Sequence, residues 1–145
     1  MVQLQRERGL TYVFISHDLS VVEHVSDVVA IMYLGRIVEM GPVRQIFDNP
    51  AHPYTRALMQ AIPSGNPRQR RASVPLTGEA PSPMAVRPGC AFASRCQYAI
   101  DACRQGVPPL EAVGTNGAGT QTHVVACIRR DEIDQQAAVA VTPQP

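Results

Sequence analysis

Five side chains in this sequence have the chemistry of a reactive or metal-binding site. They are His17, in the stretch "VFISHDLS" (13–20), and Cys90, Cys96, Cys103 and Cys127. A histidine placed directly after an apolar strand can hydrogen-bond an anion, because ligands of open α/β sheets gather at the carboxyl ends of strands. It can equally be an exposed residue that caps or satisfies its neighbours. The cysteines are spaced C-x5-C-x6-C, with a long gap to the fourth. That is neither the C-x2-C run of bacterial ferredoxins nor the short knuckle usual for zinc, so the spacing leaves a metal site and unrelated thiols both open. The opening stretch "MVQLQRERGLTYV" has no signal-peptide core. Export is therefore not expected, and a reducing compartment makes disulfides the poorer reading of the thiols.

Other chemistry is excluded by composition. All thirteen basic side chains are arginine and none is lysine. A phosphate loop of the G-x-x-x-x-G-K-[ST] type needs its lysine on the β- and γ-phosphates, and a Schiff base needs one as nucleophile. The Asp-Glu pair at Asp131-Glu132 follows two arginines, not an apolar strand. The formal net charge of +1 gives no reason to expect nucleic acid as a partner. No apolar run approaches the ~20 residues of a membrane-spanning helix.

The elements that would position these residues follow from periodicity. "VQLQRER" (2–8) reads as a polar helix closed by Gly9. "TYVFIS" (11–16) is nearly all apolar, as a strand covered on both faces would be. Asp18 can cap a short helix in which Leu19, Val22 and Val25 share a face. "DVVAIMY" (27–33) and "RIVEMG" (36–41) are strands joined at Leu34-Gly35 as a hairpin. "PVRQIFDN" (42–49) and "PYTRALMQAI" (53–62) are helices opened by proline. His52 is a helix entry with no chemistry assigned. The domains expected are an α/β part over 1–62, a proline-rich strap over 63–89, a cysteine segment over 90–130 and a disordered tail over 131–145. The segment "GTNGAGTQT" (114–122) reads as a flexible loop.

The stretch "GLTYVFISHDLSVVEHVSDVVAIMYLGRIVEMGPVRQIFDNPAHPYTRALMQAIP" resembles the last part of an ABC-transporter ATPase, of the kind that energises oligopeptide and dipeptide importers. The later "LTGEAPSP...PGCAFASRCQYAIDAC" resembles the C-terminal extension of that subgroup. The fold this implies is α/β: the C-terminal portion of a P-loop ABC ATPase domain (strand, helix, hairpin, helix), followed by a small irregular cysteine-rich extension. The resemblance makes His17 the switch histidine, which contacts the γ-phosphate of ATP and helps position the attacking water. It implies a C-terminal piece of a longer protein, since the phosphate loop, signature motif and metal-binding carboxylates are absent here. ATP with Mg would bind only together with that missing N-terminal half, and the chain alone is expected to be inactive. The implied partners are a second ATP-binding subunit and transmembrane permease subunits, with the peptide substrate handled by those other subunits. The implied location is cytoplasmic, peripheral on the inner face of the membrane. A nickel or other small-solute importer is the alternative within the family, and a stand-alone metal-binding or interaction module the alternative outside it.

The extension also bears on the thiols. In the peptide-importer ATPases it resembles, it holds a [4Fe-4S] cluster on four cysteines. The resemblance thereby assigns Cys90, Cys96, Cys103 and Cys127 to such a cluster, with zinc on the same four thiolates as the alternative. Arg95 and Arg104 are read first as ordinary exposed arginines, with steadying of such a cluster's negative charge by hydrogen bonds as the alternative.

Overall fold

The structure, a computed structural model, describes residues 2–62, 81–82, 88–114 and 122–134. The strap at 63–80 and 83–87, most of the 114–122 loop and the tail from 135 lie outside the described residues.

Helix α1 spans Val2–Arg8 and stops at Gly9, whose φ of +60° ends the helix in the left-handed region. Helix α2 spans Leu19–Val25. Asp18 is its N-cap: its carboxylate accepts the N–H groups of Ser20 (3.0 Å) and Val21 (3.3 Å), two of the orphan donors of the first turn. Strands β1 (Val28–Tyr33) and β2 (Arg36–Pro42) form an antiparallel hairpin. Its two-residue turn, Leu34-Gly35, has φ of +46° and +76°, the mirror-image turn that suits the twist of a hairpin. Helices α3 (Val43–Asp48) and α4 (Pro53–Ala61) follow. Pro53 sits in the first turn of α4, as expected, whereas Pro42 precedes α3 as its cap residue and closes β2.

The cysteine segment is less irregular than its sequence suggests. It holds the short helix α5 (Ala102–Gln105) and two short strands, β3 (Glu111–Ala112) and β4 (Val124–Val125). These extend the hairpin into a four-stranded antiparallel sheet of order β1-β2-β4-β3. The physical reason is the free edge of β2: its unpaired backbone groups take β4 as a ladder partner. The result is a mixed fold of helices and antiparallel sheet.

The core lies under this sheet. β1 alternates, with Val29, Ile31 and Tyr33 inward and Val28, Ala30 and Met32 outward. Those inward residues pack with Val38 of β2, Ile46 of α3 and Phe92 of the cysteine segment. Tyr33, Tyr54 and Phe92 form a ring cluster with centroids 4.7–5.3 Å apart, a geometry that adds to simple burial.

One expected element is absent. Residues 11–16 are in no strand, and Val13 and Ile15 are 95% and 93% exposed. The apolar run is there, but a strand is defined by a hydrogen-bonded neighbour, and among the described residues none pairs with it.

Candidate functional site

Two constructions adjoin each other, one of buried polar side chains and one of half-buried thiols. The first begins with a β-bulge. The pairing of β1 with β2 shifts between Ile31↔Glu39 and Met32↔Ile37, so one extra residue of β2 is accommodated there. Val38 and Glu39 are consequently both buried, although adjacent strand residues ordinarily face opposite ways. The Glu39 carboxylate accepts the backbone N–H of Ala51 (2.7 Å) and of His52 (2.8 Å), and the Nε2–H of His123 (2.6 Å). The Thr55 hydroxyl is buried against the same group without a well-formed hydrogen bond. Burial pushes the carboxyl of Glu39 up, but the bonds from His123, Ala51 and His52 together outweigh it and hold it below its ordinary value. One anion thus ties β2 to the start of α4 and to His123, the residue just before β4. Being wholly buried, Glu39 has no access to a substrate; its work is to join segments far apart in sequence.

His52, at the N-cap of α4, accepts the Tyr54 N–H at Nδ1 (3.1 Å). Burial lowers its pKa to about 4, against the opposing pull of Glu39, so it is a neutral imidazole at physiological pH. Its ring stands 5.8 Å from that of Phe92.

The second construction is the thiol group. Cys90, Cys96, Cys103 and Cys127 all border one small cavity of about 20 Å³. Local turns place them. Cys90 accepts N–H groups from Phe92 and Ala93, Cys96 from Tyr98, and Cys127 from Arg129. Each of these sulfurs is therefore served by the amide two residues later. The Cys90 amide donates to the carbonyl of Cys103 at 2.8 Å. That contact is possible because residue 89 is glycine. Its φ is +90°, and a Cβ there would lie 2.5 Å from the Cys103 carbonyl oxygen. Burial raises the pKa of Cys90, Cys96 and Cys127, the last to about 11, so these are protonated thiols at neutral pH and not activated nucleophiles.

The cavity is bordered by four sulfurs, three of them served by backbone N–H groups, and by otherwise largely apolar walls; sulfur is the donor type that soft metals take. Among the described residues, no three His, Cys, Asp or Glu side chains form a group that could hold a single metal ion.

His17 is elsewhere. It lies exposed in the bend before α2 and does not border the thiol cavity. Of the two arginines that adjoin cysteines in the sequence, Arg104 is exposed and faces Asp101 at 3.5 Å. The arginine that borders the cavity is Arg129. Glu39, His123, Gly89 and Arg129 are the residues that reading the sequence did not single out. A visible signal existed for two of them: Glu39 is a charge inside an apolar strand, and Arg129 stands two positions after the fourth cysteine. A partner for Glu39 at position 123 had no local signal.

Residues 38–103 match the family model described as the oligopeptide/dipeptide transporter C-terminal region. The chain is 52% identical over 132 residues to the dipeptide transport ATP-binding protein DppF of Escherichia coli, covering 91% of this chain and 37% of that protein. It is 45% identical over 134 residues to the oligopeptide transport ATP-binding protein OppF of Salmonella typhimurium, covering 90% of this chain and 38% of that one. A probable peptide ABC transporter ATP-binding protein of Sinorhizobium fredii is 46% identical over 149 residues, covering 42% of its length. The chain thus spans about two fifths of the length of these relatives. Among the described residues no helix is long and apolar enough to cross a membrane.

Proposed function

We infer that this chain, whose sequence is that of the C-terminal part of a peptide ABC transporter ATP-binding subunit, serves in the complete protein to couple ATP hydrolysis to peptide uptake. The observation that carries this is the extent of the match, about nine tenths of the chain at roughly half identity to the dipeptide protein. In this reading residues 1–62 complete an α/β nucleotide-binding domain, 63–89 form a strap, and the extension of the peptide-importer subgroup begins at 90 and runs through the helical residues 130–134, where Ile133 is buried. The partners are a second ATP-binding subunit and membrane-embedded permease subunits, and the complex sits on the cytoplasmic face of the membrane. Peptide is selected by those other subunits.

Several features support the division of labour. The groove between α1, residues 11–15 and β1 has a volume of about 550 Å³ and includes Tyr12, Phe14, Val28 and Met32 in its lining. Apolar residues left facing such a groove are what a sheet exposes when its neighbouring strands belong to another segment. His17 follows this stretch directly, and its exposed imidazole is free to present an N–H to the γ-phosphate of ATP and orient a water for attack, a positioning role suited to phosphoryl transfer. The phosphate loop and magnesium ligands come from the rest of the domain. Cys90, Cys96, Cys103 and Cys127 would hold a [4Fe-4S] cluster, which would supply a structural link between these segments.

The test is a chimera. Residues 1–145 are joined to the N-terminal remainder of the Escherichia coli dipeptide protein, and Mg-ATP turnover is measured with and without His17→Ala. The chimera is expected to hydrolyse ATP, the His17→Ala form to lose at least ~100-fold, and the chain alone to show no turnover. A folded chimera that stays inactive, or one indifferent to His17→Ala, overturns the reading. Anaerobically isolated protein is expected to be brown, with about four irons per chain; colourless protein with one zinc assigns the site to zinc instead.

A further inference from the structure

We propose that Arg129 is the positioning residue of the thiol site, fixing two of its ligand turns and supplying the positive charge that sets the electron affinity of the metal–thiolate centre; this rests on the iron–sulfur reading above. The argument begins with placement. Arg129 stands two residues after Cys127, and its backbone N–H donates to the Cys127 sulfur. Its side chain, 18% exposed, turns back against the cavity, where its Nη1 donates to the carbonyl of Tyr98 at 2.6 Å. Tyr98 is in turn the residue whose amide serves Cys96. One arginine therefore spans two N–H···S turns that lie 31 residues apart, with its main chain on one and its side chain on the other. Its Nε donates to Glu132 at 2.9 Å, which leaves the guanidinium little freedom to leave this position.

Charge gives the second half. A centre on four thiolates is anionic, and an anion in an apolar cavity needs a compensating cation or donors nearby. Among the described residues that border the cavity, Arg129 is the only arginine, and His52 there is neutral. Glu132 offsets part of the guanidinium charge, but it is 60% exposed and so better screened by water than the arginine it holds. Adding an electron to the centre makes it more negative, so Arg129 stabilises the reduced form more than the oxidised one.

The whole chain is isolated anaerobically with its cluster, and the midpoint potential is titrated with an external reductant alongside iron and sulfide content. In Arg129→Gln the cluster is expected to be retained but its reduction disfavoured about tenfold, a midpoint more negative by about 59 mV for one electron. Arg129→Lys keeps the charge without the planar fork and is expected to fall between the two. Glu132→Gln removes the offsetting carboxylate and is expected to move the potential the other way, which keeps the test decisive if Arg129→Gln fails to hold iron. Loaded variants with unchanged potentials, or a Glu132→Gln shift in the same direction as that of Arg129→Gln, overturn the role of Arg129 alone. Wild-type protein that takes up no iron overturns the cluster reading and this inference with it.

Discussion

Val13 and Val38 are chemically identical, yet 95% of one is exposed and 3% of the other. The first belongs to the stretch 2–25, in which neither α1 nor α2 buries a single residue. The second belongs to a body made from 28–62, 88–114 and 122–134, where β1, β2, α3 and Phe92 close on one core. Both stretches are rich in the apolar residues that make strands. What separates them is whether the neighbouring strand lies within the chain. β2 finds β4 some eighty residues later, at Glu39↔Val125, while 11–16 finds nothing comparable among the described residues. A hydrophobic run therefore specifies a need for burial, and topology decides where that need is met.

The sharpest way to break this comparison is to remove the residue through which the cysteine segment enters the core. Phe92 is 1% exposed and meets the rings of Tyr33 in the hairpin and Tyr54 in α4. Phe92→Ala is expected to cost roughly 3–5 kcal/mol, and hairpin and cysteine segment should unfold in one transition. Denaturation followed both by tyrosine signals and by thiol accessibility checks this. Two separated transitions would mean that the segment and the hairpin do not share a core.

Acid should be the next largest perturbation, and it too acts on the body alone. His52 has its pKa lowered to about 4 from an unfolded value of 6.5, chiefly by burial. The unfolded chain thus binds a proton that the folded one refuses between those values. Its contribution is fully present above pH 6.5, declines as pH falls towards 4, and amounts to on the order of 3 kcal/mol. Glu39, whose pKa is lowered from 4.5, continues the loss below that pH, because its stabilisation is present above 4.5 and disappears as the folded carboxylate is protonated. Urea midpoints at pH 7 and pH 5 measure the effect. His52→Asn keeps a capping side chain at the start of α4 and should flatten the profile between them. An unaltered profile in His52→Asn would show that another group carries the acid sensitivity.

These residues also show how far the sequence could be read. The hairpin, the Asp18 cap and the proline entry to α4 were legible because each is local: alternation, one side chain reaching two or three residues, one fixed φ. The shared core, the Glu39–His123 contact and the sheet made by β3 and β4 were not, because each joins segments dozens of residues apart. Among the candidate site residues, the cysteines were visible by type and Arg129 was passed over for Arg95 and Arg104. Arg95 and Arg104 adjoin a cysteine in the sequence and Arg129 does not; only the fold sets Arg129 against the carbonyl of Tyr98.

Gly89 sharpens the comparison at smaller scale, since it tests the thiol site without emptying the core. With φ of +90° and the Cys103 backbone 2.5 Å from any Cβ, alanine can be accommodated only by moving the 89–90 turn away from α5. Gly89→Ala is expected to cost about 2–3 kcal/mol and, on the proposed cluster, to lower iron content in proportion. By contrast Gly106→Ala, where nothing lies within 4 Å of the added carbon and φ is negative, should keep both stability and metal. Equal metal content in the two variants would separate the turn geometry from the site.

The smallest effect is expected where the apolar residues are most conspicuous. Val13→Ser and Ile15→Ser remove side chains that are almost fully exposed. In the chain by itself each should change stability by no more than about 0.5 kcal/mol, as surface substitutions do. The same changes made in the chimera with the N-terminal remainder of the dipeptide protein should cost about 2 kcal/mol each, because there the stretch 11–16 acquires strand neighbours and its valine and isoleucine become core. The two measurements, equilibrium unfolding of the chain and of the chimera, use identical substitutions and differ only in what surrounds them. A large cost in the isolated chain would mean that the stretch is already buried by a segment of this chain. A negligible cost in both would mean that the run is a surface in the complete protein as well, and the place given to His17 at its end would fall with it.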